Sequence, residues 1–145
     1  MGQGGLFGPR KNASPGISIP ASETKAQSII VELRKLNPYD TPLSTAMLLR
    51  ALLELSNDYY RGKKSLKKMD GLHKSMATTA DHMHKAELLT KQQHDLVMRY
   101  TRTEESMLHV KTVQSYLHKD NFHPNAQALN TFWDEIGCFV AACWR

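Results

Sequence analysis

Apolar side chains in this chain recur at spacings of three and four residues, the period of an α-helix, and no stretch alternates as a half-buried strand does. The clearest run follows Asp40. Thr41 suits an N-cap and Pro42 the first helical turn. Leu48, Leu52, Leu55 and Tyr59 then repeat at i, i+4, i+7 and i+11. Met47, Leu49 and Leu53 widen the apolar face, while Arg50, Glu54, Asn57 and Arg61 fall on one narrow polar stripe. A helix apolar over most of its girth belongs at the centre of a domain. Gly62 is expected to stop it.

Five further helical patterns flank this one. Over residues 22–36, Ser22 can cap and Ala26, Ile29, Ile30, Leu33 and Leu36 share a face, before Asn37-Pro38 ends the run. From Ser65 to Glu87, Met69, Met76 and Met83 lie seven apart with Leu72 and Ala86 in step. That seam suits packing against a neighbouring helix, or an adaptable partner groove. A short helix follows Thr90 with Leu96 and Val97 inward. Another is expected from Thr103, which can cap it, with Glu104 and Glu105 in a first turn that favours negative charge. Its buried face is Val110, Val113 and Leu117, and it ends in the loop from Lys119 to Pro124. The last runs from Asn125, with Leu129, Phe132, Trp133, Ile136, Val140 and Cys143 in phase. Gly137 inside it costs about 1 kcal/mol relative to Ala and points to a close helix approach. The sum is an all-α fold, a single antiparallel bundle of five to six helices over residues 22–145, preceded by a flexible tail or linker over 1–21.

That tail carries five of the eight glycines and three of the six prolines and shows no period. It fits a domain cut from, or fused behind, another. Leu6 stands where an N-myristoylation signal wants Ser or Thr, so that anchor is not expected.

A length of 145 residues suits one modest domain, and 41% apolar with 23% charged residues allows a core. No run approaches the roughly 18 apolar residues of a membrane span, and no secretory signal opens the chain. Cys138 and Cys143, five apart on one helix, project about 140° apart and do not easily bridge each other. Two thiols without a disulfide framework suit a reducing cytoplasm, so a cytoplasmic location without membrane contact is expected.

Charge changes the picture. The chain has 19 Lys and Arg against 14 Asp and Glu, a net +5. Arg61, Lys63, Lys64, Lys67, Lys68 and Lys74 against Asp70 account for an equal excess in one short segment. Such a run suits a solvated loop or contact with RNA or DNA phosphates.

Seven histidines invite a search for metal or acid–base chemistry. His82 and His84 lie two apart on a helix, about 200° around the axis, and cannot share one metal. His118 and His123 flank Asp120 but lack a third ligand of clear spacing, and no phosphate loop or dinucleotide fingerprint is present, so neither metal nor cofactor is expected. Arg102 and His109 are separated by TEESML, nearly two turns, which on one continuous helix puts both on the same side. Arg can hold a phosphate while imidazole moves a proton at a ribose hydroxyl, the outline of metal-free RNA cleavage. Tyr116, seven residues on, lies on the same stripe and can stack or donate a hydrogen bond. A structural role for His109 at the core edge accounts for the same pattern.

An Arg, six residues, then a His at the start of a late helix in a small all-α bundle resembles the HEPN superfamily, whose members include RNases and nucleotide-handling domains of bacterial defence and toxin systems. PLSTAMLLRALLELSNDYY and HVKTVQSYLHKDNFHPNAQALNTFWDEIGCFVAACW are also similar to carboxyl-terminal helical domains of ParB-like or abortive-infection-type bacterial proteins. The resemblance spans about residues 22–144. Thr103 follows Arg102 where the HEPN pattern commonly has Asn, Asp or His, and Tyr116 with His118 match the appended-domain pattern better. That pattern implies packing or partner contact rather than chemistry.

The expected function is a non-enzymatic helical interaction domain, docking another protein or domain or forming a homodimer, in a bacterial defence or nucleic-acid-processing system. The alternatives are a HEPN-like metal-independent endoribonuclease using Arg102 and His109 across a dimer interface, and a basic nucleic-acid-binding domain.

Overall fold

The computed structural model describes residues 16–103, 106–120 and 123–145. Its helices are α1 (Thr24–Lys35), α2 (Pro42–Lys63), α3 (Leu72–Lys85), α4 (Lys91–Arg102), α5 (Val110–His118) and α6 (Ala126–Cys143). No strand occurs among the described residues, and the fold is all-α. No helix there is long and apolar enough to cross a membrane.

The long apolar helix is central, as its girth requires. α2 packs on α1, α3 and α6, and α4 closes the bundle against α3 and α6. Leu49, Leu52, Leu53 and Tyr60 of α2 are fully buried, with Leu33 of α1, Met76 and Met83 of α3, and Trp133, Ile136 and Phe139 of α6. Each such side chain contributes about 1.5–3 kcal/mol of hydrophobic stabilisation. Beyond α6, Trp144 donates from Nε1 to Ser56 Oγ (2.9 Å) and stacks on Tyr59 with centroids 4.4 Å apart. Both contacts tie the chain's last helix to α2.

α3 and α4 follow each other closely in the chain and pack together, with Asp81 and His84 both meeting His94. Polar contacts join the second half of α2 to α3: Asn57 bonds Ser75 and Thr79, Tyr60 bonds His82, and Arg61 bonds Ser75, Thr78 and Thr79. The connection, residues 64–71, lies against both helices, with Arg61 of α2 donating to Lys67 O and Thr78 of α3 meeting Met69 Sδ (3.3 Å).

Several boundaries differ from the sequence pattern for identifiable reasons. α2 runs through Gly62, and its stop is a Schellman turn two residues beyond Lys63. Leu66 N–H donates to Arg61 O (2.8 Å) and Ser65 N–H to Gly62 O (3.2 Å), with Ser65 at φ 55°. α3 ends in the same motif, with Leu88 N–H on Met83 O (2.8 Å) and Glu87 at φ 61°. α3 starts at Leu72 rather than Ser65, because Gly71 at φ 84° redirects the chain. Met69 thereby leaves the methionine seam and is exposed, while Met76 and Met83 remain in the core.

The polar stripe of α2 is not a solvent face throughout: Asn57 and Arg61 are buried against α3. The expected tail over 1–21 lies outside the described residues up to 15. Ile17 and Ile19 pack on the core, and Gln27 Nε2 donates to Ile19 O (2.6 Å). The helix expected from Thr103 begins instead at Val110. Thr103 Oγ1 donates back to Arg99 O (2.8 Å), closing α4 rather than opening α5. Glu104 and Glu105, expected in that first turn, lie outside the described residues.

Candidate functional site

The Arg102–His109 proposition depends on a continuous helix, and the chain interrupts it. Arg102 is the last residue of α4, and His109 is the N-cap of α5. Between them Ser106 Oγ donates to Tyr100 O (2.7 Å), and Met107 and Leu108 are buried as an anchor. The expectation that both side chains share one helical face is corrected by this break.

His109 Nε2 donates to Thr101 O (3.0 Å), and its ring stacks on His73 with centroids 4.0 Å apart. Burial, then the charges of His109, Lys74 and Arg50, hold His73 below the ordinary histidine range. Arg102 is exposed and opens onto a different cavity, of about 290 Å³, with His94, Asp95, Met98 and Arg99. Tyr116 is half-buried and lines a third space of about 120 Å³ with Tyr100, Met107 and Phe132. Burial pushes the Tyr116 phenol up. The three side chains singled out for catalysis thus occupy three separate settings.

The basic segment is more coherent, although one member changes role. Arg61 is buried. Its Nη1 donates to Thr78 Oγ1 (2.7 Å), Thr79 Oγ1 (3.0 Å) and Ser75 O (3.3 Å), and its Nη2 to Lys67 O. Asn57 Nδ2 adds a bond to Ser75 Oγ (2.8 Å), and Asn57 Oδ1 accepts from Thr79 (2.7 Å). Arg61 is thus withdrawn from solvent, a correction to its assignment as a phosphate contact. Lys63, Lys64, Lys67, Lys68 and Lys74 are all exposed. The sequence signal missed for Arg61 was the Ser75-x-x-Thr78-Thr79 pattern, a row of hydroxyls at helical spacing able to receive a guanidinium.

The remaining histidines serve packing and pairing. His82 Nδ1 and Tyr60 Oη share a hydrogen bond (2.7 Å). His84 stacks on His94 at 4.9 Å, and His94 Nε2 pairs with Asp81 at 2.7 Å. Among the described residues no three His, Cys, Asp or Glu side chains are grouped to hold a metal. His118, the last residue of α5, and His123 are exposed, and residues 121 and 122 between them lie outside the described residues. Both thiols are free, and burial pushes both up, Cys143 further than Cys138.

A surface the sequence pattern did not single out lies where α1 turns into α2. Val31, Tyr39 and Leu43 are 44%, 48% and 38% exposed. Val31 is on the outer side of α1, whose inner stripe of Ala26, Ile29, Ile30 and Leu33 is filled by the core. Comparison of the chain with protein-family models, with curated proteins and with solved structures finds no match in any of the three.

Proposed function

We propose that this chain is a non-catalytic helical docking domain that pairs with a second copy of itself through the corner where α1 meets α2. The observation that carries this reading is the exposure of Val31, Tyr39 and Leu43 within one short stretch of chain, residues 31–43. They are three of the five large hydrophobic side chains exposed among the described residues, and they fall in the second half of α1, the following turn and the start of α2. Single exposed apolar residues are ordinary, whereas a group of them marks an interaction surface.

The flanking charges suit a two-fold contact. Glu32, Arg34, Lys35 and Asp40 in the same stretch of chain are all exposed, so acids of one copy can face bases of the other. Val31 lies outside the buried stripe of α1, which is Ala26, Ile29, Ile30 and Leu33. A ribonuclease needs guanidinium and imidazole to converge on one phosphate. With Arg102 and His109 in separate settings, and His109 Nε2 spent on Thr101 O, the geometry favours docking over cleavage.

Sedimentation equilibrium from micromolar to millimolar protein tests the proposal. The wild-type chain is expected to dimerise, and Val31→Glu with Leu43→Glu to remain monomeric with unchanged helical circular dichroism. A wild-type chain that stays monomeric across that range contradicts it.

A further inference from the structure

The connection between α2 and α3 and the helix ends on either side of it carry five lysines. Lys63, Lys64, Lys67, Lys68 and Lys74 are exposed, and none is in an ion pair among the described residues. Lys63 Nζ donates to Arg145 O (3.4 Å) and lies 5.9 Å from the Tyr59 ring centroid, and Lys64 Nζ lies 5.7 Å from the Tyr60 ring centroid. Within residues 58–74 the acids are Asp58 and Asp70, both exposed, so the five exposed lysines outnumber the carboxylates of that stretch by three.

A basic loop is usually mobile, and ordering it on a ligand costs free energy. Here the backbone is held beforehand. Arg61 reaches from α2 to Lys67 O and to Ser75, Thr78 and Thr79 of α3, so one buried guanidinium joins both helices and the loop. The Schellman turn fixes the loop's start, and Leu66 packs on the core. Gly71 turns its end into α3. Beside it lies an open groove of about 310 Å³ lined by Asp58, Gly62, Leu66, Lys68 and Met69. The lysine stems therefore start from fixed points along the junction of α2 and α3.

We infer that this strip is a binding site for the sugar-phosphate backbone of a nucleic acid strand, with Lys63, Lys64, Lys67, Lys68 and Lys74 as phosphate contacts and Arg61 as the positioning residue that holds the loop. An anionic membrane would use charges joined to inserted apolar side chains. Only Met69 is a large exposed hydrophobic in this strip, the others being Val31, Tyr39, Leu43 and Leu117 elsewhere. Phosphates spaced along a strand match cations spaced along a fixed loop. The site is separate from the α1–α2 corner, and either stands without the other.

The test uses the full chain, a fluorescent single-stranded RNA and, in a parallel arm, phosphatidylserine vesicles. Binding to RNA is expected, with log K falling against log salt at a slope of about 3.5 if all five lysines reach phosphates. Lys67→Glu with Lys68→Glu is expected to lose at least about tenfold in affinity and to flatten the slope by about 1.4. Lys25→Glu with Lys119→Glu removes the same charge outside the strip and is expected to lose far less. Arg61→Lys keeps the charge but not the fork, so affinity should fall while the slope stays. No RNA binding at low salt, equal losses in the two double variants, or binding to vesicles alone each overturns the inference. A slope that drops in Arg61→Lys overturns the positioning role.

Discussion

The imidazoles of His73 and His109 stack with ring centroids 4.0 Å apart and planes 23° from parallel. This contact fastens the segment before α5 to the first turn of α3. α5 needs such fastening, because it forms none of the extensive helix pairings that hold the other five.

A pH dependence follows from that pair. Burial and the neighbouring His109, Lys74 and Arg50 lower the His73 pKa from 6.5. The unfolded chain therefore binds this proton more readily than the folded one. The contribution of His73 to stability is whole above pH 6.5 and declines as pH falls below it, until the folded-state pKa is passed. Thermal midpoints across that range should fall with acidity less steeply in His73→Gln than in the wild type. Equal slopes would contradict the assignment.

Arg61 is expected to be among the most sensitive polar positions. Replacing it by Met leaves Lys67 O, Thr78 and Thr79 without their donor. Hydrogen bonds from a charged donor are worth about 1.5–3 kcal/mol each, and losses in one network do not add fully. Urea unfolding should show a loss of about 2–4 kcal/mol for Arg61→Met. A loss below about 0.5 kcal/mol, the range of ordinary surface changes, would contradict the clamp.

The two Schellman turns offer a gain. Ser65 and Glu87 sit at φ 55° and 61°, where a side chain is strained and glycine is not. Glu87→Gly should stabilise the chain by about 0.5–1 kcal/mol in urea unfolding, even though glycine widens the unfolded ensemble. A destabilised variant would contradict that backbone geometry.

The parts of the fold legible in the sequence are those where period alone decides. α2 and α6 are legible because long runs of Leu, Phe and Trp keep phase, and Asn125 does cap α6 through Ala128 N–H (2.9 Å). Thr90 and Gln93 form a full capping box, a signature readable from Thr-x-x-Gln. Helix ends were harder, since the left-handed residues are Ser65 and Glu87 while Gly62 stays helical. The burial of Arg61 is not legible in the sequence, because charge at helical spacing looks the same whether it faces water or a row of hydroxyls on another helix. The separation of Arg102 from His109 was hidden for a related reason. Spacing of seven implies one face only if the helix persists, and Thr103 turns back to close α4.

The most direct measurement of the docking claim is a concentration series of amide and methyl NMR spectra. The account predicts shifts that grow from micromolar to millimolar protein and are confined to the second half of α1, the turn at Tyr39 and the first turn of α2. They should vanish in Val31→Glu with Leu43→Glu. Spectra that do not change with concentration, or changes centred on another face of the bundle, would contradict it.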